Sequence, residues 1–343
     1  MSERAPRPIN PLTPKEEVRK TRFRSNLENV QNADLKELYP PEMEHREWTE
    51  VTDKKELGQA REELRFFAND IPPELYGLYR DKDGEHSYFV RRFNKYPKVR
   101  DIQLDMLATA KEIAPYAKQR GLVYERAKSE KEVWSAKCGT WSFSGNLIKS
   151  DKVIMENIVN GLGDDKYSPE QKQTFLHDDI SAIVHENTHI NNTDSFDFGG
   201  PARKITETAP MASEYLSFPG KNSKMKTVTE NARKLLRGEQ ETDYYYNDAT
   251  LMGMLVMARD EELLPEEEDV SKIDEGLENW QSQVESLSGE KLTAYRRKVE
   301  DEWLLSNDDE KLHGKLRELR QQYPELTGRL IGDYKLKGEE ENN

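Results

Sequence analysis

The chain has 343 residues, of which 34% are hydrophobic and 34% charged, and a formal net charge of -14. The acidic balance argues against nonspecific binding to DNA or to an anionic membrane, because both attract basic surfaces. The charged fraction exceeds the roughly one quarter of typical domains and predicts a modest core, long solvated helices and disordered ends.

A single cysteine, Cys138, excludes an intrachain disulfide and favours a reducing compartment. Residues 1–50 carry Pro6, Pro8, Pro11, Pro14, Pro40 and Pro41 with few aliphatics, which predicts an extended or partly disordered arm. The stretch Met1 to Pro6 lacks the apolar run of a secretory signal, and the longest apolar stretch, Leu251 to Ala258, is too short to span a bilayer. The expected location is the cytoplasm, or outside the cell by export without a cleaved signal.

Residues 51–129 read as mainly helical. A helix over 53–69 places Leu57, Ala60, Leu64 and Phe67 at helical spacing and ends at Pro72-Pro73. A strand is expected over 87–92 and a second helix over 101–114, before Pro115. The centre, 130–220, differs. Residues 140–146 alternate large apolar and small polar side chains, the period of a half-buried strand, and Val153-Ile154-Met155 offers a second strand. After the loop Gly161 to Asp165, Ser168-Pro169-Glu170-Gln171 has the form of a helix start, with a Ser cap, Pro in the first turn and Gln at the third position. That helix should run through His189. Residues 221–335 predict helices at 224–237, 244–260, 270–287, 289–305 and 308–322. An acidic linker is expected from Leu263 to Val270, and Leu251 to Met257 as the core face of a buried helix. Residues 336–343 read as a solvated tail.

His185-Glu186-Asn187-Thr188-His189 fits HExxH. Residues four apart share one helical face, so both imidazoles can reach one ion. Zinc suits two neutral imidazoles with a third protein ligand and an open water position. Glu186, beside the first ligand, is placed to take a proton from the metal's water as general base. By chance the pattern occurs in on the order of one chain in a hundred of this length, so context matters. Ile180, Ile183 and Val184 supply an apolar stripe that anchors such a helix in a core. The competing reading is a solvated helix with an accidental pair. His177, eight residues before His185, reads as a surface residue.

A third ligand must come from elsewhere in the chain, and Asp194, Asp197, Glu207 and Glu214 all lie downstream. The segment Ile190 to Gly200 should leave the helix and turn, letting a carboxylate swing back to give a two-His-one-Asp site. Alternatively Glu207, on a later helix, gives a two-His-one-Glu site.

The stretch Thr193-Asp194-Ser195-Phe196-Asp197-Phe198-Gly199 resembles the aspzincin loop of deuterolysins and lysine-specific metalloendopeptidases. Met211 to Phe218 is similar to that family's closing segment, and the likeness covers about 80 residues, 138–218. Aligned on Thr193 and Gly199, the family's ligand aspartate falls at Ser195 and its tyrosine at Phe198. Related bacterial effector metalloproteases have the Thr-to-Asp spacing of Thr193 to Asp197. The resemblance therefore implies Asp197 as third ligand, with Asp194 second. It leaves the transition-state helper to Tyr215 or the run Tyr244-Tyr245-Tyr246.

The expected architecture is α+β: a zincin-like domain with a small sheet and the HExxH helix, flanked by mostly α-helical segments. The expected function is zinc-dependent hydrolysis of peptide bonds in a protein or peptide substrate, with no nucleic-acid or membrane partner. The other reading is a catalytically inactive zincin-like binding or regulatory protein.

Overall fold

The computed structural model describes residues 43–64, 76–91, 97–113, 168–191, 200–239, 245–304 and 310–339. The strands expected at 140–146 and 153–155, the loop Gly161 to Asp165, Cys138, Asp194, Asp197, Tyr244 and most of the N-terminal arm lie outside these residues.

The described part is mostly helical, with one small three-stranded antiparallel sheet. The sheet comprises β1 (Trp48–Glu50), β2 (Tyr76–Asp81) and β3 (Ser87–Arg91), with β2 in the middle. Tyr79 pairs with Tyr88 and Leu78 with Phe89. Only β3 matches an expectation. β1 has three residues and β2 carries Gly77, so neither shows a long period-two run.

Two helices accompany the sheet: α1 (Lys54–Leu64) and α2 (Pro97–Ile113). The buried Asp105 of α2 holds the entering chain, accepting from Trp48 Nε1 at 2.6 Å and the Arg46 backbone N–H at 3.1 Å, and lying 2.8 Å from His45 Nδ1. A buried carboxylate is stable when donors converge on it in this way.

The HExxH helix is α3 (Pro169–Asn191). Its start is the expected capping box: Gln171 N–H donates to Ser168 Oγ at 3.3 Å, and Ser168 N–H donates to Gln171 Oε1 at 2.8 Å. Leu176, Ile180, Ile183 and Val184 are buried, so the apolar stripe anchors the helix as expected. His177 does not lie at the surface. It is buried and stacks on Phe218 with ring centroids 4.3 Å apart, because its turn of α3 faces the core rather than solvent.

The helices α4 (Gly200–Ser217), α5 (Ser223–Leu236) and α6 (Tyr245–Asp260) complete the frame around the motif. Helix α4 packs on both α3 and α6. Helix α6 is buried from Asn247 to Ala258 on every side, as the Leu251 to Met257 run predicts for a central helix. Gly253 lets α4 and α6 approach closely: a Cβ there would stand 3.3 Å from Ala212 Cβ. Lys204 of α4 donates to the Leu330 carbonyl at 2.8 Å and lies 3.2 Å from the buried Asp248 carboxylate of α6, which fixes α4 at a second point.

Helices α7 (Val270–Glu285), α8 (Gly289–Val299), α9 (Glu310–Gln322) and α10 (Pro324–Ile331) follow, with a π-helical turn, Glu300–Leu304, after α8. The acidic stretch expected as a linker is tied down. Asp269 caps α7, Glu268 accepts from the Glu325 backbone N–H at 3.0 Å, and Pro265 O accepts from Gln322 Nε2 at 2.9 Å. Among the described residues no helix is long and apolar enough to cross a membrane.

Candidate metal centre

Two helices build the site. On α3, the four-residue spacing brings His185 and His189 together, with ring centroids 4.9 Å apart. On α4, Glu207 and Glu214 are seven residues apart, two turns, so they share a face. Pro201 sits in the first turn of α4, where its missing N–H costs nothing. Pro210 lies between the two glutamates and removes one helical rung. Thr208 Oγ1 donates to the Lys204 carbonyl at 2.8 Å within the same stretch.

Three donor atoms converge. His185 Nε2 and His189 Nε2 are 3.2 Å apart, and each lies 3.2 Å from Glu207 Oε2. All three residues are buried, at 6%, 7% and 6% exposure, which separates this group from the acidic clusters common on protein surfaces. His185, His189 and Glu207 therefore form a group that can hold a metal ion.

The distances test the fit. Bonds of about 2.0–2.1 Å to a tetrahedral ion place neighbouring donors about 3.3 Å apart. An octahedral face with similar bonds places them about 3.0 Å apart. The observed triangle of 3.2 Å suits either. Two nitrogens and one oxygen suit zinc or ferrous iron rather than calcium or magnesium, which take oxygen ligands. Alignment points the same way. Glu207 Oε2 is buried and receives no well-aligned hydrogen bond, although two ring nitrogens stand at 3.2 Å. His185 Nε2 and His189 Nε2 are in hydrogen-bond contact with each other, and both face the same carboxylate oxygen.

His185 lies across the face of α4, with Nε2 toward Glu207 and Nδ1 3.0 Å from Glu214 Oε2. The Nδ1–H is off the ideal line to that oxygen, yet at 3.0 Å both the short contact and the carboxylate's charge act on the ring. Glu214 is fully buried, and Lys224 of α5 donates to both its oxygens at 2.9 and 3.2 Å. Burial alone would pull the His185 imidazolium down in pKa. Glu207 and Glu214 outweigh it and hold His185 up at about 10. Burial likewise pushes both carboxyls up. His189 and His185 overcome this at Glu207, which lies well below the usual range, and Lys224 and His185 bring Glu214 to about 2.

Around this centre, Tyr246 places its ring 6.2 Å from that of His185, and the Tyr245 ring lies 4.2 Å from that of Tyr246, tilted by 43°. The guanidinium of Arg203 lies 3.8 Å over the Tyr245 ring. Tyr215 is turned elsewhere: its hydroxyl donates to Glu285 at 3.3 Å and its ring packs on Trp280. Burial, reinforced by Glu285, raises its phenol pKa.

Of the residues expected from the sequence, His185, His189 and Glu207 are brought together. Glu186 follows His185 on the α3 backbone. Asp194 and Asp197, expected from the loop after α3, lie outside the described residues. The contact of Glu214 with His185 is additional. Its signal was the spacing of seven between Glu207 and Glu214, which puts both on one helical face.

Comparison of the chain with protein-family models, with curated proteins and with solved structures gives no match, so the site stands on its own geometry.

Proposed function

We infer that the chain is a zinc-dependent metallopeptidase whose metal is held by His185, His189 and Glu207. The observation that supports this is the buried 3.2 Å triangle of two imidazole nitrogens and one carboxylate oxygen on an HExxH helix. Of the two ligand sets the sequence leaves open, the triangle supports the one with two histidines and one glutamate.

When bound, zinc supplies a Lewis acid that polarises the scissile carbonyl and acidifies a water. The chain's own residues do the rest. His185 and His189 present Nε2 lone pairs, and Glu207 contributes a negative charge that α4 holds in place. Glu186, one residue after His185, accepts the water's proton as general base and returns it to the leaving amine. Of the tyrosines the sequence nominated, Tyr246 has its ring 6.2 Å from that of His185, whereas the Tyr215 hydroxyl is bonded to Glu285.

A second reading, a metal-retaining binding or regulatory protein without activity, is favoured by one observation: the Tyr215 hydroxyl is committed to Glu285. A peptidase assay on the zinc-loaded chain and its Glu186→Gln variant separates the two. Activity in the first and its loss in the second, with zinc retained in both, supports the peptidase. No activity in either supports the binding protein.

A further inference from the structure

We propose that Glu214, held by Lys224, is a positioning residue for the metal centre, fixing the proton of His185 on Nδ1 so that Nε2 is free to ligate. The inference rests on the metal-holding reading above and assigns two residues that it leaves without a role.

Three observations carry it. Glu214 Oε2 stands 3.0 Å from His185 Nδ1, on the opposite side of the ring from the donor triangle. Glu214 is fully buried, and a buried carboxylate persists only where specific partners compensate its lost hydration. Its partner besides His185 is Lys224, which donates to both oxygens from the first turn of α5, with its side chain half exposed. Lys224 thereby commits Glu214 and keeps it from competing with Glu207 as a ligand.

The chemistry follows from the imidazole. A neutral ring carries one N–H and one lone pair, and the group facing one nitrogen decides which is which. With a carboxylate at Nδ1, the proton stays there and Nε2 offers its lone pair toward Glu207 and His189. The negative charge also raises the basicity of the ring as a ligand. The arrangement ties α5 to α3 through α4, so the start of α5 takes part in setting the metal's affinity.

The test is a zinc titration of the full-length chain against a competing chelator, for the wild type, Glu214→Gln and Glu214→Ala. The wild type is expected to bind one zinc. Both variants are expected to bind one zinc with affinity reduced about 10- to 100-fold, the usual effect of losing an outer partner of a ligating histidine. Nitrogen-15 NMR of the zinc-loaded wild type should show a slowly exchanging His185 Nδ1–H, which exchanges rapidly in Glu214→Ala. A purely structural role would leave that proton unchanged. Should Glu214→Ala fail to fold, the near-isosteric Glu214→Gln decides alone. Unchanged affinity in Glu214→Gln overturns the proposal, and so does complete loss of stoichiometric zinc, which would make Glu214 a ligand. Failure of the wild type itself to bind zinc overturns the metal-holding reading instead.

Discussion

His185 Nε2 and His189 Nε2 stand 3.2 Å apart, a separation at which two bare lone pairs repel and a proton or a metal ion must lie between them. Without a metal, that cation is a proton on His185, which Glu207 and Glu214 hold at a pKa of about 10 against the opposing effect of burial. A proton can satisfy one contact at a time, whereas a metal ion satisfies three.

Zinc binding near neutral pH should therefore expel about one proton from the site. Calorimetry at pH 7.5 in buffers of different ionisation enthalpy measures this directly, and release close to zero would contradict the arrangement. The sign for stability follows. His185 has a folded pKa raised above its ordinary 6.5, so its contribution to the metal-stripped chain is complete below about 6.5 and is lost as pH rises through about 10. The thermal stabilisation given by a fixed zinc excess should accordingly grow between pH 6 and pH 9.

Ligand substitutions should separate Glu207 from its neighbours. Glu207→Gln and His189→Ala are each expected to abolish stoichiometric zinc while leaving the helical circular-dichroism signal of the chain. Asp197→Asn is expected to keep one zinc per chain. Loss of zinc in Asp197→Asn with retention in Glu207→Gln would move the third ligand to the loop.

The close contact of α6 with α4 sets the position of both glutamates. Gly253→Ala adds a Cβ at 3.3 Å from Ala212 Cβ, tight but offset by about 1 kcal/mol of helix propensity, so it should be nearly neutral. Gly253→Val should destabilise by about 1–3 kcal/mol, because its branches enter an occupied interface. Chemical denaturation measures both, and a wild-type midpoint for Gly253→Val would refute the packing described.

Much of the site was legible in the sequence. The capping box at Ser168 and Gln171, the stripe of Ile180, Ile183 and Val184, and the histidine pair are local patterns, read within one helix. Glu207 was legible only as one of several carboxylates. Its selection depends on α4 packing on α3, a tertiary fact that no spacing along the chain encodes. His177 was misread for a related reason: a polar residue on a partly charged turn suggests solvent, while the ring is covered by Phe218. The short strands β1 and β2 carry too few residues for a period to show, and Tyr215 is claimed by Trp280 and Glu285 from a helix seventy residues away.

Glu300, buried in the π-helical turn, gives a test of the fold away from the metal centre. Burial raises its carboxyl to about 8, with no hydrogen-bond partner at Oε2. The native chain holds this proton over the range where the unfolded chain has released it. Glu300 therefore costs stability increasingly as pH rises from about 4.5 through about 8. Glu300→Gln should match the wild type at pH 4.5 and melt higher by on the order of 5 °C at pH 8.5. Equal melting temperatures at both values would show that the carboxyl is solvated.

Two imidazoles and the Glu207 carboxylate are placed to hold one metal ion, and the proposed ion is zinc. X-ray absorption at the zinc edge of the purified full-length chain, together with its metal content, identifies both the ion and its ligands. One zinc per chain is expected, with two imidazole nitrogens and carboxylate oxygen in the inner shell at about 2.0–2.1 Å. A chain that holds no metal after zinc supplementation, or that selects iron over zinc, would contradict it.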